Sequence, residues 1–162
     1  MGQEVGLPSH LPSSEETRFP GLHSGNYRVT SPQDTRYNCI AHANGDSSKK
    51  WDCPGFPHPG YYWPTGAVKG QGIEALESCF QSQGYERCDN GEAESGFEKV
   101  ALYADNNCEW THAAKLEQNG KWSSKLGSSH DIMHHSAHCF GGSEYGDVLY
   151  FMKRPTPTQE QV

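Results

Sequence analysis

Glu98-Lys99-Val100-Ala101-Leu102-Tyr103-Ala104 turns at Asp105-Asn106-Asn107-Cys108 and returns as Glu109-Trp110-Thr111-His112-Ala113-Ala114-Lys115-Leu116. Apolar residues recur here at a period of two with turn residues between the runs, the pattern of an antiparallel strand pair. Asn119-Gly120 is a hairpin signal leading into a third strand, Lys121 to Leu126. Closing these turns puts Lys99, Ala101, Tyr103, His112, Ala114, Ser123 and Lys125 on one face. Val100, Leu102, Thr111, Ala113, Trp122 and Leu126 share the other, and Ser124 falls on the face away from His112. Both faces carry apolar groups, so the sheet is expected to be covered on both sides.

Upstream, Ile73, Leu76 and Phe80 fall at helical spacing with Cys79 beside them, and Gly84 stands as the cap. Tyr37-Asn38-Cys39-Ile40-Ala41-His42-Ala43 reads as the start of another helix, capped by Asn38 and ended by Asn44-Gly45-Asp46. Between them, Trp51 to Pro64 holds four prolines and five aromatics and reads as an ordered loop with apolar anchors, Trp51 and Trp63 being its candidate binding residues. Downstream, Ser129 to Cys139 is read as a short helix and Tyr145 to Arg154 as a final strand. Residues 1–25 read as a flexible arm, 26–155 as one α+β domain and 156–162 as a tail.

Composition bounds the function. A chain of 162 residues buries about 70% of its unfolded surface. Only 33% of it is hydrophobic, and 18 glycines with 10 prolines favour a compact, turn-rich domain over a helical bundle. The net charge of -7 with scattered lysines and arginines argues against nucleic-acid and anionic-membrane partners. No secretory or membrane-spanning stretch is visible, so cytoplasmic residence is expected, with the six cysteines as thiols.

A cysteine at a helix start feels unpaired N–H groups that favour the thiolate, the nucleophilic form. Cys39 is therefore the candidate nucleophile, with helix-terminal N–H groups beside it as an oxyanion site. His112 is the candidate base, followed in sequence by Ser123, Lys125, Asp131 and His134 as candidates for the group that orients it. His42, one turn beyond Cys39, is an alternative base. The rival site is a metal centre: His130, His134 and His138 recur every four residues, and Cys139 adds a thiol. The cysteine spacing by itself spells no metal site, the chain lacks the metalloprotease signature, and no cofactor is expected.

Tyr37 to Ala43, Gly84-Tyr85-Glu86 with Cys88, Lys99 to Ala104, Thr111-His112-Ala113-Ala114 and Trp122 to Gly127 together resemble an uncharacterised family of small bacterial domains, a likeness spanning about residues 36–154. More distantly, the order of cysteine helix and histidine strand resembles papain-like amidases of the NlpC and CHAP type. That resemblance implies a cysteine-bearing N-terminal helix and a second helix packed on an antiparallel sheet. In those enzymes the histidine opens a strand; here Glu98-Lys99 stands at the matching entrance, and His112 lies on the neighbouring strand. The leading expectation is thiol-dependent hydrolysis or transfer on an amide or ester of an unknown peptide or protein substrate. The alternatives are a non-catalytic interaction module on the same scaffold and a histidine-cluster metal protein.

Overall fold

A computed structural model describes residues 10–22, 25–52, 61–126, 130–140, 143 and 145–156. In chain order the elements are α1 (Ser13–Arg18), β1 (Tyr27–Val29), α2 (Cys39–Ala43), β2 (Lys50–Trp51), β3 (Tyr61–Tyr62) and α3 (Ile73–Gln81). There follow β4 (Glu86–Cys88), β5 (Phe97–Ala104), β6 (Trp110–Leu116), β7 (Trp122–Lys125), β8 (Asp131–His134), a 3-10 turn (Ala137–Phe140) and β9 (Asp147–Pro155). The architecture is α+β: a seven-stranded sheet of order β1-β8-β7-β6-β5-β9-β4, antiparallel at every pairing, beside a two-stranded parallel pair of β2 and β3. Among the described residues no helix is long and apolar enough to cross a membrane.

Each face of the sheet has its own core. On one, α2 and α3 set Ile40, Ala41, Leu76, Cys79 and Phe80 against Val100, Leu102, Ala113 and Met152. On the other, Ala101, Tyr103, Ala114, Trp122 and Ile132 pack with Phe140, Tyr145, Tyr27, Phe19 and Leu22. The alternation of strand side chains explains the double burial, since β5 and β6 contribute neighbouring residues to opposite layers. Part of the segment read as a flexible arm therefore belongs to a core: Leu11, Phe19 and Leu22 are all buried.

Two expectations are corrected. The β6–β7 hairpin does not close on a two-residue Asn119-Gly120 turn. Glu117 N–H bonds the Lys121 carbonyl at 2.8 Å, and Gly120 takes a left-handed φ of 84°, which makes a three-residue loop. Lys115 then pairs with Ser123, and Leu116 with Trp122. A one-residue slip sends every β7 side chain to the other face. Ser124, not Ser123 or Lys125, shares the face of His112. The second correction concerns Ser129 to Cys139: the described part of this segment read as a short helix, 130–139, holds a strand followed by the start of the 3-10 turn. Asp131–His134 is strand β8, held between β1 and β7, because Ile132 and His134 alternate into the core at a period of two.

Candidate functional site

Asn38 caps α2 as expected: its side-chain oxygen accepts from the backbone N–H of Ala41 at 3.2 Å and from that of Trp51 at 3.1 Å. This double grip fixes where the helix begins and delivers Cys39 straight into the core. Burial there pushes the thiol up to about 11, with Asp52 adding to the shift, so the neutral form prevails at neutral pH. The expected lowering does not develop, because α2 is only five residues long and desolvation outweighs its short dipole.

His112 lies on the opposite face of the sheet. Its ring stacks on Tyr145 at 4.1 Å and meets Phe140 at 5.0 Å, in the layer that excludes Cys39. The structure thus does not bring the expected nucleophile and base together. What His112 does meet is Ser124: Nε2 lies 3.0 Å from Ser124 Oγ, which lies 2.8 Å from His134 Nε2. Proton counting assigns this chain. His134 Nδ1 faces the Ser136 carbonyl at 2.9 Å, so Nδ1 carries the proton and Nε2 accepts. Ser124 must donate to His134 and accept from His112 Nε2–H. The lone pair of His112 Nδ1 is then buried without a donor. Desolvation holds His112 well below its ordinary value and His134 down at about 4, so both rings are neutral.

A second chain runs over the helix side. His42 Nε2 lies 3.0 Å from Ser123 Oγ, whose proton goes to Glu117 at 2.5 Å. His42 Nδ1 is 3.7 Å from Asp131, and the Tyr37 hydroxyl donates to that same carboxylate at 2.8 Å. Burial lowers His42, with Asp131 opposing the shift; burial lifts Tyr37 to about 12, its bond to Asp131 adding to it. Lys125 Nζ donates to the Asp34 carbonyl at 2.7 Å and sits 4.8 Å over the Tyr37 ring. Ser123, Lys125 and Asp131 therefore gather around His42 and α2, while His134 reaches His112 through Ser124. The Asp131–His42–Ser123 order has the connectivity of a hydrolytic triad. Ser123, however, lies within a strand and gives its proton to Glu117, so in this arrangement the hydroxyl is not poised for attack.

The remaining candidates have structural roles. Trp51 is buried, with its indole N–H on Asp46 at 2.8 Å; Trp63 stacks on Trp110 at 5.8 Å. The rest of the proline-aromatic loop, 53–60, lies outside the described residues. His130 and His134 sit on or beside β8, whereas His138 and Cys139 lie in the 3-10 turn, so they form no common helical face. Cys139 Sγ reaches His134 Nδ1 at 3.2 Å. Among the described residues no group of three or more His, Cys, Asp or Glu side chains is placed to hold a metal. A groove of about 820 Å³ opens at the end of the sheet, lined among others by Glu94, Phe97, Glu98, Leu116, Glu117 and Met133. Glu117 joins it to the His42 chain. The sequence pattern set Ser124 on the wrong face and gave no sign of this groove; a three-residue loop brings Ser124 to His112.

A family model described as a domain of unknown function (DUF7689) matches residues 28–153, and the chain belongs to that family. No curated protein and no solved structure matches it.

Proposed function

We propose that this family member is a non-catalytic interaction domain. The observation that carries the reading is the separation of Cys39 from His112 by the full thickness of the sheet, each neutral and packed in its own core. The groove offers the accessible polar surface. Glu94, Glu98 and Glu117 stand beside Phe97, Leu116 and Met133, with Lys115 as the lining's basic residue. Glu94 pairs with Lys99 and Lys153 and Glu98 with Arg154, and the remaining carboxylate excess suits a short basic peptide with an apolar side chain. Cys39, Cys79, Cys88, Cys108 and Cys139 stand outside any disulfide, in keeping with a reducing compartment such as the cytoplasm. Titration of labelled Lys/Arg-containing peptides by fluorescence anisotropy tests this. Saturable, salt-sensitive binding that weakens in Glu98→Lys is expected; no binding at millimolar peptide refutes it.

A second reading, thiol-dependent hydrolysis on a papain-like scaffold, is favoured by one observation. Cys39 opens a helix packed on an antiparallel sheet, with His42 three residues on and Asp131 beside that ring. His42, not His112, is the base in this reading. It requires Cys39 to be alkylated in the native protein as a thiolate well below the free-thiol pKa of about 8.5, with His42→Ala removing the effect. The interaction reading expects Cys39 to stay unmodified until the protein unfolds.

A further inference from the structure

Residues 10–22 cross the sheet face opposite α2 and α3 in an unusual manner. The six residues of α1 contribute no buried side chain. The segment is held at its ends instead: Leu11, Phe19 and Leu22 enter the core while Ser13 to Arg18 ride outside it. Phe19 is the principal anchor, packing on Phe140 at 5.5 Å and on Tyr145 at 5.0 Å between ring centroids. Gly21 passes so close to the Cys139 carbonyl that a Cβ there would overlap it. Tyr27 marks the near end, accepting from Leu11 N–H at 2.9 Å and donating to Glu16. The backbone–backbone hydrogen bonds of 10–22 close within the segment, while the Gly21 carbonyl accepts from Asn26 Nδ2 at 2.8 Å; no strand of the sheet comes from these residues. Apolar anchors with a solvent-facing turn between them are how a linear peptide sits in a groove. The family model starts at residue 28, so this occupant, like Tyr27 beside it, lies outside the matched span, whereas Phe140 and Tyr145 lie inside it.

We propose that the groove formed by Phe140, Tyr145 and Tyr27 is a peptide-binding site, and that residues 10–22 fill it as a displaceable internal ligand. The partner it fits is a peptide presenting one phenylalanine, with leucines placed as Leu11 and Leu22 are relative to Phe19. Such a peptide competes with the segment in trans. The effective concentration of the tethered segment sets how strong an outside ligand must be. This site is independent of the acidic groove at Glu98 and Glu117, and it stands whether or not basic peptides bind there.

The test is a full-length protein with a protease site introduced between Leu22 and Gly25. Once cut, the segment is held only by its contacts. The expected result is that it dissociates on dilution while near-ultraviolet circular dichroism of the remainder persists. The nicked protein then rebinds a labelled synthetic peptide of residues 10–22 saturably. The same peptide with Phe19→Ala is expected to bind at least about a hundredfold more weakly, the lower bound for truncating a buried phenylalanine. If the sheet unfolds in one step as the segment leaves, the segment is an integral part of the fold and the proposal fails. It fails equally if the nicked protein stays folded and ignores the peptide at millimolar concentration.

Discussion

The hydroxyl of Ser124 is the single atom on which two buried imidazoles depend. Removing it in Ser124→Ala leaves the Nε2–H of His112 and the Nε2 lone pair of His134 without partners in a fully buried layer. Each stranded polar atom costs about 1–3 kcal/mol, so a loss of at least about 2 kcal/mol is expected in urea denaturation. Ser123→Ala is expected to cost less than Ser124→Ala, because its two partners, His42 and Glu117, are both only half-buried and can turn to water. Linkage adds a pH signature. His134 has its folded value depressed to about 4 from 6.5, so between those values the unfolded chain binds the extra proton. Stability is full above about pH 6.5 and falls as pH drops toward 4, by about 3 kcal/mol over the window. Denaturation curves at pH 7 and pH 4.5 for the native protein and His134→Gln measure it. An equal loss in both proteins would assign the pH dependence to other groups.

Two glycines with left-handed backbone separate turn strain from packing at the level of elements. Gly120, at φ 84° in the β6–β7 loop, has open space where a Cβ would go; Gly146, at φ 74° before β9, would press a Cβ onto the Ala104 carbonyl. Gly120→Ala is therefore expected to cost only about 1–2 kcal/mol of conformational strain. Gly146→Ala has to move the β5 backbone as well, and is expected to cost more than twice as much by thermal denaturation. Equal costs would show that the chain relaxes freely around Gly146. The same β6–β7 loop marks where the sequence stops being legible. The strands β5, β6, β7 and β9, the helices α2 and α3, the Asn38 cap and the shared face of Tyr103 and His112 follow from local periodicity and capping chemistry. The face of β7 does not, since Asn119-Gly120 serves a two-residue and a three-residue loop alike, and one residue decides which serine meets His112. The histidines from 130 onward misled for a related reason. A four-residue recurrence suits a helix, but an even spacing suits a strand as well, and pairing with β1 and β7 chose the strand.

For the whole molecule, the two layers on either face of the sheet are built with unequal outer walls. The helix side is closed by α3, with five buried side chains, whereas the other side is closed by a segment whose helix buries none. Opening free energy follows buried apolar contact, so the strap side is expected to open locally before the sheet unfolds. Two cysteines report this layer by layer. Cys79 is sealed in the helix-side core; Cys139 borders the strap-side core, its thiol pushed up to about 12 by burial, and lies directly under Gly21. In native-state alkylation at fixed pH, Cys139 is expected to label through an opening with weak dependence on urea. Cys79 is expected to label only through the full unfolding transition, with its steep dependence. Phe19→Ala removes the main anchor of the strap, so it should accelerate Cys139 by tenfold or more, as the loss of roughly 1.4 kcal/mol from the local opening requires. Cys79 would change only as far as global stability does. Identical urea dependence at the two thiols would mean that both faces share one cooperative core, and the strap would then be as integral to the fold as α3.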